Sequence, residues 1–253
     1  MLTSILPLDV YELIASILLE DKVVENDRII TEKKGVMAGT PISCFLANLY
    51  LNGLDTLFKN EIYARYADDI IVFAPTYNQL IIYKKTILDY LKKYHLTINP
   101  SKEKIYLPLE PWEFLGFSYS NHIIDLSDNT KRKIKHKIHR KARALYRWKI
   151  RKNVSDSSTM KAMNKIFNYK FFYGKKGNEL NWSLWYFPVI TTSKSLKEID
   201  QYYQAQLRYL VTGKHNKANY RKVSYQTLKD NGYNSLVHEY YMYKKIDNKN
   251  LKC

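Results

Sequence analysis

Apolar residues recur every three or four positions in the long segments of this chain and cluster into β-prone runs in the short ones. Leu6, Val10, Leu13, Ile14, Ile17 and Leu18 make one such stripe, which predicts a helix packed into a core. Lys22 to Lys34 is polar, with Val23-Val24 and Ile29-Ile30 as short strands, and runs into Gly35-Val36-Met37-Ala38-Gly39-Thr40-Pro41-Ile42-Ser43. Thr40-Pro41 predicts a helix start, because threonine can cap free N–H groups and proline at the first helical position gives up a donor with no partner. That helix is expected from Pro41 to about Lys59, with Phe45, Leu46, Leu49, Leu54, Leu57 and Phe58 available to a core. Asn78 to Tyr94 repeats Leu80, Tyr83, Ile87, Leu91 and Tyr94 at helical spacing. Leu96-Thr97-Ile98 and Ile105-Tyr106-Leu107 predict strands around the turn Asn99-Pro100-Ser101. Trp112 to Tyr119 predicts a hairpin in which Gly116 marks a bulge or the close approach of another backbone.

Between the second and third helices lies Ile62-Tyr63-Ala64-Arg65-Tyr66-Ala67-Asp68-Asp69-Ile70-Ile71-Val72-Phe73. Two β-prone runs flank a tight tip, so a hairpin is expected that holds Asp68 and Asp69 side by side. Adjacent like charges cost free energy unless something neutralises them, and a hard divalent cation bound by oxygen is the usual remedy. The tip is therefore a candidate metal clamp. The preceding helix sets Gly39, Ser43 and Ala47 four apart, a narrow face that either packs tightly on a sheet or lets a nucleotide sugar come close. Strand–helix alternation of this kind predicts an α+β fold, an antiparallel sheet with helices on one face.

The second half of the chain has a different character. From Thr130 to Lys152 there are 12 Lys and Arg and no acid, around an apolar stripe of Ile134, Ile138, Leu145 and Trp148, which predicts a basic amphipathic helix. Gly174 to Asn181 reads as a loop and Trp182 to Ile190 as a buried aromatic segment. Ser195-Leu196-Lys197-Glu198 has the capping-box pattern, and the stripe Leu196, Ile199, Tyr203, Leu207, Leu210 stops at Gly213. Two shorter helices are expected around Leu228 and over Leu236 to Tyr243, separated by Gly232.

Charge sharpens this division. The formal net charge of +17 calls for a polyanionic partner, nucleic acid ahead of an anionic membrane. Residues 1–128 carry 12 Lys and Arg against 17 Asp and Glu, whereas residues 129–253 carry 29 against 7. Membrane-surface binding and calmodulin-like recognition also suit a basic amphipathic helix, but the acidic body before it favours a phosphate backbone. The 23 tyrosines lean the same way, since a flat ring with a polar tip can stack on bases. Cys44 and Cys253 have no partners at metal-ligand or disulfide spacing, which suits a reducing compartment. With no leader pattern and no run of about 18 apolar residues, the expectation is a cytoplasmic protein without a membrane partner.

Taken together these residues resemble the reverse transcriptase family, close to its bacterial group II intron and retron-like branch. Tyr66-Ala67-Asp68-Asp69 matches the family's Tyr-x-Asp-Asp motif, with Arg65 before it and an apolar run after it. Gly35, Gly39, Pro41, Ser43, Leu46, Ala47, Asn48, Leu51 and Asp55 resemble the preceding motif, a turn and helix beneath the incoming nucleotide. Leu96 to Lys102 resembles the motif that follows, and Phe114-Leu115-Gly116-Phe117 the primer-grip hairpin. The resemblance implies a partial polymerase palm over residues 1–125 and a basic helical thumb over 126–253. It implies RNA-templated DNA synthesis by two Mg²⁺ ions, with Asp68 and Asp69 as metal ligands and catalytic carboxylates. Gly39, Pro41, Ser43 and Lys102 would lie at the dNTP. Tyr66, Phe114, Leu115 and Gly116, with Lys131, Arg132, Lys135, Arg140 and Arg143, would lie along an RNA template and DNA primer or an RNA–DNA hybrid.

Two departures from the family pattern shape the expectation. The family places another metal-binding Asp on a palm strand upstream of the Gly-rich motif, and no such stretch is read here. Asp9 sits at a helix start, where Asp is a good cap. Ala38 also replaces the family's usual Gln. The chain is therefore expected to lack the fingers and one palm strand, as a truncated or split enzyme completed by a separate chain, or as an inactive remnant that binds RNA or an RNA–DNA hybrid. Intron mobility, retron-like synthesis and phage defence are all open as roles.

Overall fold

Residues 7–19, 22–25, 28–31, 41–174 and 181–250 are described by a computed structural model. Their contacts gather the chain into two units, residues 1–100 and 101–253. Gly39 and Ala38, and most of the 174–181 loop, lie outside the described residues.

The first unit begins with α1 (Leu8–Leu19) and the antiparallel pair β1 (Lys22–Glu25) and β2 (Arg28–Thr31), in register with Val23 opposite Ile30. Then come α2 (Pro41–Leu57), β3 (Ile62–Tyr66), β4 (Asp69–Phe73) and α3 (Tyr77–Lys93). Thr76 caps α3 by accepting from the Gln79 N–H at 3.1 Å, and Lys92 and Lys93 in its last turn complement the helix dipole. Tyr63 and Arg65 of β3 are half-buried while Ile62, Ala64 and Tyr66 are exposed, the alternation that a strand covered on one face requires. Leu54 of α2, Phe58 just after its end and Tyr83 of α3 close a small core on Tyr63, Ile70 and Val72, with Phe58 stacked on Tyr63 at 5.1 Å between centroids.

Three expectations in this region are corrected. The apolar stripe of α1 buries only Ile14 among its described members, while Leu13 and Ile17 lie exposed. Periodicity reports that a face is apolar, not what covers it. On α2, Phe45 and Leu57 are likewise exposed, because the core collects at Leu54 and Phe58. The predicted strands at 96–98 and 105–107 are irregular backbone around a single 3₁₀ turn, Pro100–Lys102. Among the described residues they pair with no ladder partner, and an apolar triplet without one does not become a strand.

The second unit opens with a three-stranded antiparallel sheet, β5 (Trp112–Phe114), β6 (Phe117–Ser120) and β7 (Ile123–Leu126), in that order. Both connections, Leu115-Gly116 and Asn121-His122, have positive φ at both residues, the backbone twist that a two-residue hairpin turn demands. Gly116 therefore serves a turn rather than a bulge, and the expected close approach is present: its C=O accepts from the Ser127 N–H and the Thr130 hydroxyl, each at 2.9 Å.

The helices follow as α4 (Asp128–Lys152), α5 (Asp156–Asn168) with a π-turn at Tyr169–Tyr173, α6 (Trp182–Tyr186), α7 (Lys194–Thr212), α8 (Asn219–Lys222), α9 (Tyr225–Asp230) and α10 (Leu236–Asn250). The stripe of α7 is the middle of their core: Leu196, Ile199, Leu207 and Leu210 are wholly buried and Tyr203 nearly so, against Ile134 and Ile138 of α4 and Met160 and Met163 of α5. Gly213 ends α7 in the left-handed region with its N–H on the Tyr209 carbonyl. The capping box does not form. Ser193, not Ser195, begins the helix, and Glu198 turns to Lys131 and Lys135. Trp182 to Ile190 is only partly buried, with Phe187 and Ile190 inside and Leu184 and Trp185 outside. Asp200 of α7, itself buried, accepts from the Ser235 hydroxyl and the N–H groups of Leu236 and Val237, and so caps α10 from a neighbouring helix. Among the described residues no helix is long and apolar enough to cross a membrane.

Candidate active site

The β3–β4 hairpin places Tyr66 opposite Asp69, so the two-residue tip is Ala67-Asp68. Asp68 and Asp69 are both exposed. Register sets Asp69 on the hairpin face of Tyr66, Ala64 and Ile62, away from the helices. Ala67 has φ +54°, a conformation that costs a non-glycine residue of the order of 1 kcal/mol and that persists only when its surroundings hold it.

What holds it is Arg65. Its Nη1 donates to the Ala67 carbonyl at 3.0 Å and to Asn48 Oδ1 at 3.0 Å, while Nε and Nη2 form a fork on the two carboxylate oxygens of Asp55 at 2.8 and 2.5 Å. Asn48 and Asp55 lie two helical turns apart on α2, so a single guanidinium ties the hairpin tip to one face of that helix. The Arg65 side chain is only 6% exposed, and Tyr63 adds a third bond to Asp55 at 2.9 Å. The Arg65 guanidinium holds the Asp55 carboxyl below the usual carboxylate range against the opposing effect of burial. Burial first, and then the bond to Asp55, push the Tyr63 phenol far above its ordinary value. The sequence named these residues as motif positions but not as partners: Asp55 and Asn48 lie ten and seventeen residues before Arg65, across a helix and a strand, where no periodic pattern links them.

The other candidate residues lie on other elements. Pro41 and Ser43 occupy the first turn of α2. Lys102 ends the exposed 3₁₀ turn, and Phe114, Leu115 and Gly116 make the β5–β6 tip in the second unit. Of the basic candidates on α4, Arg132, Arg140 and Arg143 are exposed, whereas Lys131 reaches Asp128 at 2.9 Å and Glu198 at 3.6 Å, and Lys135 reaches Glu198 at 3.4 Å. The bond to Asp128 raises the Lys131 ammonium above its ordinary value. Sequence reasoning missed Glu198 as a partner because the capping-box pattern gave it a different role.

Asp68 and Asp69 offer hard oxygen donors, the chemistry that Mg²⁺ takes. Among the described residues no third His, Cys, Asp or Glu joins them. The donor set fits such an ion in kind and supplies two protein carboxylates toward it.

A search of curated proteins found no match to the chain. Residues 3–119 match the family described as reverse transcriptase (RNA-dependent DNA polymerase), and the match spans α1, α2, the Asp68-Asp69 hairpin and the β5–β6 hairpin. The match supports a nucleotidyltransferase of reverse transcriptase type, a family that generally uses Mg²⁺. Residues 3–119, a little under half of the chain, are similar to the reverse transcriptase family.

Proposed function

We propose that the protein is an RNA-directed DNA polymerase that extends a DNA primer on an RNA template, with residues 1–125 as palm and 126–253 as thumb. The reading is carried by one observation: the exposed Asp68-Asp69 pair sits on a hairpin tip locked by Arg65 to α2, inside the region that matches the family. Two Mg²⁺ ions, when bound, would activate the primer 3′-oxygen and neutralise the triphosphate. Asp68 and Asp69 would hold them. Arg65 fixes the backbone from which both carboxylates project, so that they need little reorganisation when a substrate arrives. Tyr66 stands beside them on the open hairpin face, where its ring can pack against nucleic acid. Pro41 and Ser43 would lie beneath the dNTP with Gly39, and Lys102 would meet its phosphates. Phe114, Leu115 and Gly116 would grip the primer, and the basic α4 would follow the duplex.

The test is primer extension on an RNA template in Mg²⁺. Synthesis by the wild-type chain that is lost in Asp68→Asn and Asp69→Asn supports the reading; synthesis that survives both substitutions sinks the site. The second reading, a module that binds RNA or a hybrid without synthesis, is favoured by the charge of residues 129–253, which carry 29 basic against 7 acidic side chains. It predicts salt-sensitive hybrid binding by a chain that never extends a primer.

A further inference from the structure

Arg65 of the first unit and Arg208 of α7 are both withdrawn from water, but only the first is answered. Arg65 meets the Asp55 carboxylate, Asn48 and the Ala67 carbonyl. Arg208 is 3% exposed and uses Nε to reach the Val223 carbonyl at 3.0 Å, while its Nη1 is buried with no hydrogen-bond partner. Among the described residues no carboxylate pairs with it. A buried charge is ordinarily paired, and an unanswered donor on it bears the full penalty of leaving water. Desolvation accordingly holds the Arg208 guanidinium below the usual arginine range, with the Tyr220 and Tyr233 phenols acting the other way.

The segment that closes over Arg208 runs from Gly213 to Val223. Asn219 is buried there and ties the turn together, donating from Nδ2 to the Lys214 carbonyl and from its N–H to Asn216 Oδ1 at 3.1 Å. The next residue, Tyr220 of α8, lays its ring over the guanidinium at 4.2 Å from the ring centre, yet is itself 54% exposed. Among the described residues its hydroxyl takes no hydrogen bond, so the stack is what keeps the ring in place. The same segment adds Lys214, Lys217, Arg221 and Lys222, all exposed, and no acid. What the buried Nη1 lacks is a charged acceptor in the guanidinium plane, and phosphate oxygens match that fork.

We propose that Arg208 anchors a binding site for a phosphate dianion, free or as a monoester, which opens when the Tyr220 ring swings off the guanidinium. The site lies on α7 and α8 and does not depend on the polymerase reading. Its test is calorimetric titration of the full chain with inorganic phosphate at fixed ionic strength. Wild type should bind one equivalent, and Arg208→Gln should weaken this at least about tenfold. Tyr220→Ala removes an exposed ring and leaves the guanidinium in place, so it should bind about three- to tenfold more tightly than wild type. Lys161→Gln/Lys165→Gln, at exposed positions of α5, should bind as wild type does. A nucleoside monophosphate that binds as well as inorganic phosphate assigns the site to a monoester, and one that does not bind assigns it to the free anion; both keep the site. Affinity unchanged in Arg208→Gln, or lowered equally by the α5 substitutions, overturns the proposal. Should Arg208→Gln fail to fold, Tyr220→Ala decides alone, and phosphate binding no tighter than wild type overturns it.

Discussion

Replacing Arg65 by Ala removes at one stroke the fork on Asp55, the bond to Asn48 and the bond that holds the Ala67 carbonyl in the tip. Breaking a fully buried ion pair by deleting one partner costs about 3–5 kcal/mol. Arg65 meets that condition at 6% exposure, but Asp55 is 35% exposed and water can replace part of what it loses, so about 2–3 kcal/mol is the expected cost. For a chain of this size that lowers the melting temperature by about 4–12 °C. A double-mutant cycle with Asp55→Ala isolates the pair, and the two effects should fall short of additivity by about 1–3 kcal/mol. Arg65→Lys keeps the charge but loses the fork, and should recover less than half of the loss. Primer extension should fall further than stability does, by about a hundredfold, because the carboxylates lose the backbone that aims them. Strict additivity in the cycle, or extension by Arg65→Ala at the wild-type rate, would refute the clamp.

Acidity should act on the same pair. Asp55 has its folded pKa depressed below the ordinary value near 3.8, so its contribution is full above that value and is lost as pH falls through the lower folded one. The stability gap between wild type and Arg65→Ala, read from denaturant titrations, should be constant near neutrality and shrink below about pH 4. Gly116→Ala meets both a φ of +86° and a Cβ 2.7 Å from Thr130 Oγ1, and should lower the melting temperature by the equivalent of at least about 1 kcal/mol. Asp200→Ala strands two N–H groups and a hydroxyl at the start of α10, and should cost about 2–3 kcal/mol with the fastest added hydrogen exchange at Leu236 and Val237.

The hairpin at 62–73 was legible because its pattern and its turn agree: β-prone runs of matching length on either side of a two-residue tip leave one register that covers Tyr63, Ile70 and Val72. The stripe of α7 was legible for the same reason, with five apolar positions on one face and a glycine at the end. Strand β7 was missed, although Asn121-His122 between two apolar runs is a turn signal of the favoured hairpin kind. The segments at 96–98 and 105–107 failed in the other direction, since a strand is a property of a pair and the sequence names no partner. The Asp68-Asp69 tip could be found in the sequence, but the guanidinium that positions it could not. Charges at Asp55 and Arg65 look like two solvated residues until α2 and β3 are laid side by side.

The most direct measurement is RNA-templated primer extension and hybrid affinity determined together for the wild-type chain and for Asp68→Asn/Asp69→Asn. Synthesis by the wild type in Mg²⁺ is expected, reduced at least about a hundredfold in the variant through the loss of about 3 kcal/mol or more of transition-state stabilisation, with hybrid affinity held within about threefold. Equal synthesis by the two proteins would contradict it.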